Sequence, residues 1–259
     1  MSWFEQPLLL ATLMCLALQL IAWFRQYQTH NADVVDIAWT LGIVMCALLY
    51  LWLTPVDTLT LVAVLLFPVI WYGRLLLHLI MRYDVDHEDS RYQYLRAHWS
   101  AHTQQKFLGF FLFQAGLSVL FSLPAYWVIT AADLSLGALL LALVWGGLSF
   151  IGVTLADHQL YRFKKTHDSS EVCNVGLWRY SRHPNYFFEW IHWLVYPILL
   201  WNTDYFIWSW FIVGMMLLFL LKLTGIPFSE QQALLKRGDA YRAYMKKTSQ
   251  FIIWRTKDD

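Results

Sequence analysis

The sequence predicts an all-α, polytopic integral membrane protein with about seven transmembrane helices. Hydrophobic residues make up 58% of the 259 residues and charged residues only 14%. A bilayer-spanning helix takes roughly 20 mostly apolar residues, and the chain contains seven stretches of about that length. Lys and Arg residues also occur mainly in every second loop between the predicted spans. A chain with this composition is predicted to use lipid as its solvent.

The seven predicted spans account for most of the chain. They cover 7–24, 37–53, 58–81, 107–130, 134–155, 184–201 and 205–223. The first span has no basic residue before it and follows Glu5, which argues against a signal peptide. No internal repeat is present, so a single membrane domain, 1–259, is expected, with a cytoplasmic C-terminal segment, 224–259.

The distribution of Lys and Arg predicts the orientation. Basic residues occur around 82–106, around 162–182 and after 221, whereas 1–6, 54–57 and 202–204 contain none. Cytoplasmic loops of membrane proteins collect Lys and Arg. The N-terminus is therefore expected outside and the C-terminus in the cytoplasm, with the long loops on the cytoplasmic side.

Net charge and cysteine placement argue against two classes of site. The formal net charge is +1, whereas nucleic-acid binding needs a clustered basic excess. Cys15 and Cys46 fall in predicted helices and Cys173 stands alone in a loop. Neither a disulfide framework nor a metal site is predicted from these three residues.

One face of the third predicted span is cationic. Trp71, Arg74, His78 and Arg82 are spaced by three or four residues and so share a helix face. An ionisable group inside a membrane usually faces the bundle interior or a wet cavity. The pattern indicates the wall of a buried anion site. The alternative is that Arg74 and Arg82 extend to the cytoplasmic interface.

Two further polar sets lie at the cytoplasmic ends of helices. Asp157, Tyr161 and Lys164 share a face where the fifth span leaves the membrane, although a solvated helix end gives the same pattern. Asn31, Asp33, Asp36 and Trp39 begin the second span. Asp36 is a candidate functional residue or only a partner of the helix dipole in the first turn.

The densest polar set surrounds a predicted helix start at Pro184. Proline is favoured at the first helical position, and Arg182 and His183 come directly before it. Free backbone N–H groups and the helix dipole add to the Arg charge and favour an anion. Tyr186 and Glu189 share a face with Arg182. The alternative is a structural ion pair between Arg182 and Glu189.

These residues together resemble the DUF1295 family. The resemblance is carried by Asn31-x-Asp33-x-x-Asp36-x-x-Trp39, Trp71-x-x-Arg74, Glu88-Asp89-x-Arg91-Tyr92, Gly176-Leu177-Trp178-x-Tyr180-Ser181-Arg182-His183-Pro184-Asn185-Tyr186 and Phe251-Ile252-x-Trp254. That family is similar to the C-terminal domain of steroid 5-alpha reductases and to membrane sterol reductases. The resemblance implies a seven-helix bundle that holds NADPH in a cavity open to the cytoplasm.

The resemblance also implies roles for single residues. It assigns Asn185 and Glu189 to the nicotinamide end of the cofactor and Tyr186 to the pocket lining, with His183 beside them. The ribose and phosphate contacts that it implies are Arg74, Arg82, Asp157, Lys164 and Arg182. Two positions depart from the pattern, because Phe188 replaces a usual glycine and Ile253 a usual proline. The Glu and Tyr pair that catalyses steroid reduction has no clear counterpart.

The expected function is the NADPH-dependent reduction of a polarised C=C bond in a steroid-like or other lipid substrate. Tyr72 and Asp36 are the candidate donors to the substrate oxygen. The expected setting is a bacterial inner membrane with the active site facing the cytoplasm. Two alternatives stay open. One is an S-adenosylmethionine-dependent methyltransferase of the isoprenylcysteine or phospholipid type, which shares the Arg-His-Pro element. The other is a non-enzymatic transporter or receptor.

Overall fold

A computed structural model describes residues 5–99, 101–131, 134–223 and 225–257. Within these ranges the regular elements are helices, apart from one isolated bridge between Ser181 and Ser249. The all-α prediction is therefore confirmed for the part of the chain that is described. The helices divide into two compact units, Met1–Ser135 and Leu136–Asp259.

The first unit is built on three long helices that pack side by side. Its elements are α1 (Glu5–Thr29), α2 (Val34–Leu53), α3 (Thr58–Val64), a π-helical segment (Leu65–Ile70), α4 (Trp71–Arg82), α5 (Ser90–His98) and α6 (Thr103–Thr130). Asp57 caps α3 by accepting from the N–H groups of Leu59 and Thr60. Pro68 has no N–H to give to the preceding turn, and the helix widens around it into the π-helical segment.

The second unit combines one long helix with several shorter ones. Its elements are α7 (Leu136–Thr166), α8 (Leu177–Tyr180), α9 (Pro184–Trp193), α10 (Val195–Leu199), α11 (Phe206–Leu218), a π-helical segment (Phe219–Leu223) and α12 (Ile226–Lys247). Pro184 begins α9 as the sequence predicted. Gly238 interrupts α12 with φ 50°, a left-handed conformation that glycine adopts without a steric penalty.

Six helices in the described residues are long and apolar enough to cross a membrane. They are Gln6–Thr29, Val34–Leu53, Thr58–Arg82, Thr103–Thr130, Leu136–Thr166 and Phe206–Lys247. These helices fit an integral membrane protein. Their positions agree with six of the seven predicted spans. The orientation, the single-domain organisation and the count of seven stay predictions.

The remaining predicted span, 184–201, consists of the two short helices α9 and α10. The N–H of Leu194 bonds to the carbonyl of Ile191 (3.1 Å), three residues back rather than four. Pro197 has no N–H to offer to Trp193, so the regular ladder cannot continue. Hydropathy alone does not reveal such a break, because both halves are apolar.

Candidate functional site

The loop before α9 is tied to the C-terminal segment of the chain. Arg182 donates its backbone N–H to the carbonyl of Ser249 (2.8 Å), and Ser181 donates its hydroxyl to the carbonyl of Phe251 (2.8 Å). Tyr244 of α12 donates its hydroxyl to the carbonyl of Ser181 (3.3 Å). Phe251 also packs against Phe187 of α9, with ring centroids 5.7 Å apart. Two motifs that are 70 residues apart therefore form one structure.

Arg182 lies at the centre of a buried ion pair. Its Nε–H donates to Oε1 of Glu230 over 2.7 Å, and its Nη1 donates to the carbonyls of Met245 (3.1 Å) and Thr248 (2.7 Å). The side chains of Arg182 and Glu230 are only 8% and 10% exposed. The partner of Arg182 is thus Glu230 of α12, and the alternative pairing with Glu189 is wrong.

His183 completes this cluster and lies against the start of α9. Its Nε2 is 3.4 Å from Oε1 of Glu230, and its ring stacks on Tyr186 with centroids 5.5 Å apart. Gln250 donates to the other oxygen of Glu230 (3.1 Å). Burial disfavours the imidazolium and lowers the pKa of His183 below its ordinary value, although Glu230 opposes the shift. His183 is therefore held neutral beside an ion pair.

Asn185 joins the first turn of α9 to α7. Its Nδ2 donates to Oδ1 of Asp157 (3.2 Å), and its Oδ1 accepts from the backbone N–H of Tyr186 (3.0 Å). The hydroxyl of Tyr186 lies 3.5 Å from that of Ser229 on α12. The structure therefore brings together four predicted site residues at one end of α9: Asp157, His183, Asn185 and Tyr186.

Phe188 stands where the family pattern usually has glycine, and a glycine on α7 accommodates it. A Cβ added to Gly152 would lie 2.3–2.5 Å from three carbons of the Phe188 ring. The ring thus occupies the space that a side chain at position 152 would need.

The remaining predicted residues of this unit are less enclosed. Lys164 is exposed near the end of α7, and Glu189 is half-buried on α9. The neighbouring Lys165 places its Nζ over the Tyr161 ring, 4.6 Å from the centroid. The cofactor contacts expected of Lys164 and Glu189 stay predictions.

In the first unit, Asp36 accepts hydrogen bonds at both carboxyl oxygens. Oδ2 accepts from Nη2 of Arg91 (3.0 Å), and Oδ1 accepts from the hydroxyl of Tyr92 (2.8 Å). These contacts tie α2 to α5. The structure therefore shows Asp36 as an acceptor within the protein, and its expected role as a donor to the substrate stays a prediction.

The loop between α4 and α5 surrounds the start of α2 with charged groups. Asp33 accepts from the N–H of Asp89 (2.9 Å), and Asp89 pairs with both Arg82 and Arg91. Burial raises the pKa of Asp89, but the two guanidinium groups outweigh it and hold that pKa below its ordinary value. Arg82 is thus engaged by Asp89, with 56% of its side chain exposed.

Two of the predicted residues lie among aromatic rings. Arg74 has its Cζ 5.1 Å from the centroid of the Trp71 ring, within the range of a cation–π contact. Tyr72 is 2% exposed and meets Trp39 edge to face at 6.0 Å. Their predicted roles, phosphate contact for Arg74 and donor for Tyr72, are not decided by these contacts.

Glu230 and Gln250 belong to the site but were absent from the sequence-based prediction. Arg182 and Glu230 are 48 residues apart. Helical periodicity predicts contacts only between residues close together in the sequence, such as Arg182 and Glu189. A usable signal was present in the proline near the start of α12, because it marks a second helix start. Glu230 follows it within the first two turns.

No group of three or more His, Cys, Asp or Glu side chains in the described ranges is arranged to hold a metal ion. The charged clusters of both units consist instead of Arg–carboxylate pairs. The chemistry available at the start of α9 is that of amide, phenol and imidazole groups beside a neutralised ion pair.

Comparison with known families gives one match. The matching family is described as "Protein of unknown function (DUF1295)", and the match covers residues 22–248. Searches against curated proteins and against solved structures gave no match. The matched range includes α2 to α12 and nearly all of the residues discussed above. The chain therefore belongs to the DUF1295 family.

Proposed function

We propose that the protein is an NADPH-dependent membrane reductase that acts on a polarised C=C bond of a lipid-like substrate. The observation that carries the proposal is the polar start of α9, where Asn185 is fixed to Asp157 and Tyr186 stacks on His183. Both the resemblance to membrane sterol reductases and the apolar composition support it.

The side chains at this helix start have the chemistry that a nicotinamide carboxamide needs. Asn185 offers an amide that both donates and accepts, and its Nδ2 is oriented by Asp157 over 3.2 Å. Tyr186 and His183 offer aromatic surfaces. A bound NADPH would supply hydride, while these residues orient it and exclude water.

Arg182 fits a positioning role better than a direct phosphate contact. Its Nε and Nη1 already donate to Glu230 and to two carbonyls, and the carboxylate of Glu230 neutralises its charge. We assign Arg182 to holding the α9 start against α12. The phosphate contact of this unit falls to Lys164, which is exposed at the end of α7.

Reduction of an enone places negative charge on the carbonyl oxygen, which requires a positioned donor. Tyr72 and Asp36 remain the residues proposed for this step, and Asp36 would have to give up its contacts with Arg91 and Tyr92 and take up a proton before it could donate. The proposed setting is a bacterial inner membrane, with the cofactor entering from the cytoplasm and the substrate from the lipid. Lys and Arg in alternate loops support that orientation.

The proposal is tested by identifying what the purified protein carries. Protein extracted in mild detergent is expected to retain, or to take up on addition of NADPH, a nucleotide with the near-ultraviolet absorbance of a reduced nicotinamide. Asn185→Ala should empty the site, whereas Asn174→Ala, which changes an exposed asparagine in the same unit, should not. Retention of S-adenosylmethionine with no uptake of NADPH would overturn the proposal in favour of a methyltransferase.

A further inference from the structure

Two buried thiols meet where three helices of the first unit cross. Sγ of Cys15 on α1 lies 3.4 Å from Sγ of Cys46 on α2, and the two residues are 1% and 0% exposed. They are 31 residues apart in the sequence, so their spacing gave no sign of the pairing. Neither thiol takes part in the proposed reductase site.

A glycine permits this close approach. A Cβ added to Gly42 would lie 3.1 Å from the Cβ of Ser118 on α6 and 3.3 Å from Sγ of Cys15. Small residues at a helix crossing let the backbones come together within a membrane. Cys46 follows Gly42 by one helical turn on the same face of α2, so the crossing also fixes Cys46 against Cys15.

We propose that Cys15 and Cys46 form a redox-active dithiol that closes into a disulfide and links α1 to α2. The sulfur atoms need to approach from 3.4 Å to about 2.05 Å. The shift of a little over an ångström is within reach of small side-chain rotations. The disulfide would hold the helices together at the α1–α2–α6 crossing.

The reaction needs an apolar two-electron oxidant, such as a quinone or molecular iodine, because both thiols are enclosed between apolar helices, at 1% and 0% exposure. Two S–H bonds break and one S–S bond forms, while two electrons and two protons leave the thiols. A quinone accepts both electrons and both protons and becomes the quinol. Iodine is reduced to iodide, and the protons pass to the medium.

The test uses the full-length protein in lipid nanodiscs with Cys173 replaced by serine, so that only the two thiols remain. Brief treatment with iodine is followed by denaturation, alkylation and peptide mass mapping. The expected result is a linked pair of peptides that contain Cys15 and Cys46, with no alkylatable thiol left, and recovery of both thiols on reduction. Cys15→Ser and Cys46→Ser should each abolish the link.

A matched control keeps two thiols at the same depth but separates them. Leu13 is 53% exposed on α1 and points away from the face of Cys15, so Leu13→Cys combined with Cys15→Ser should give no intramolecular link. Its exposed thiol also reports that iodine reaches this depth. If that thiol reacts while Cys15 and Cys46 both stay alkylatable in the parent protein, the dithiol proposal is wrong. An equally efficient link in the control would also overturn it.

Discussion

The guanidinium of Arg182 donates to the carboxylate of Glu230 across 2.7 Å, and this contact joins the loop before α9 to the first turns of α12. Both side chains are about nine-tenths buried. A buried ion pair is costly to break, because the group that remains is an uncompensated charge. The pair therefore fixes the geometry at the start of α9.

Removing one partner of this pair should destabilise the protein strongly. We expect Glu230→Gln to lower the free energy of unfolding by about 3–5 kcal/mol, because Arg182 keeps its charge without a counter-charge. Thermal or denaturant unfolding in a fixed detergent measures the change.

The control for this change is the exposed pair between Asp239 and Arg242, whose side chains are 95% and 67% exposed. Asp239→Asn should cost less than about 1 kcal/mol. Replacing Arg182 and Glu230 together with methionine should recover much of the loss, since no buried charge remains. Equal melting of Glu230→Gln and the unaltered protein would contradict the role of the pair.

Stability should fall as the pH drops below about 6.5, the ordinary pKa of histidine. The pKa of His183 is lowered by burial, so the unfolded chain binds a proton that the folded chain does not. The free energy of unfolding therefore rises with pH between the lowered pKa of folded His183 and about 6.5. On acidification it falls, by at most about 1.4 kcal/mol per pH unit for one group.

Unfolding measured between pH 7.5 and 5.5 tests this dependence. His183→Gln should reduce the slope of the free energy of unfolding against pH. His158→Gln, a change at an exposed position of α7, should leave that slope unchanged. Greater stability at the lower pH would show that His183 binds a proton on folding, and the description of a neutral His183 would then be wrong.

Gly152→Ala should destabilise the packing of α7 against α9. The added Cβ would lie 2.3 Å from the Phe188 ring, so the ring must move, and overpacking of this kind costs about 1–3 kcal/mol. Alanine favours a helix over glycine by about 1 kcal/mol, which offsets only part of that cost.

Gly147→Ala provides the matched control in the same helix, because nothing lies within 4 Å of its added Cβ. That variant should be neutral or slightly more stable. In a double-mutant cycle, Gly152→Ala should cost less in a Phe188→Ala background than in the unaltered protein, because the clashing ring is then absent. An equal cost in both backgrounds would contradict the assigned packing.

Reporter fusions test the predicted orientation. A cytoplasm-active reporter after Asp259 should be active and one before Met1 inactive, because Lys and Arg gather after 221 and are absent from 1–6. The converse pattern is expected for a reporter that functions only outside the cytoplasm. Both ends on the same side would rule out an odd number of spans.

The long helices were predictable because each contains an apolar run that is long enough to span a bilayer. Apolar runs of the required length appear in the sequence at six of the candidate spans, and Pro184 marks the start of α9. The break at Leu194 does not show in hydropathy; the sequence feature that accompanies it is Pro197, which has no N–H to continue the helical ladder. Apolar residues continue on both sides of it.

The candidate site was predictable in its residue types but not in its pairings. The motif itself points to Asn185 and Tyr186, and the structure adds their contacts with Asp157 and Ser229. Glu230 and Cys46 could not be assigned to their partners from sequence, because tertiary packing brings together residues 48 and 31 positions apart. The spacing of residues within one helix does not indicate which residues of other helices they contact.

We propose that a reduced nicotinamide cofactor binds at the start of α9, and equilibrium binding to the Glu189→Gln variant tests this proposal most directly. Glu189 is half-buried on the helix that carries Asn185 and Tyr186. We expect NADPH to bind the unaltered protein and to bind Glu189→Gln at least about tenfold more weakly, about 1.4 kcal/mol, with the ligand-free variant still melting cooperatively. Failure of the unaltered protein to bind NADPH, or equal binding by the variant, would overturn the proposed cofactor site.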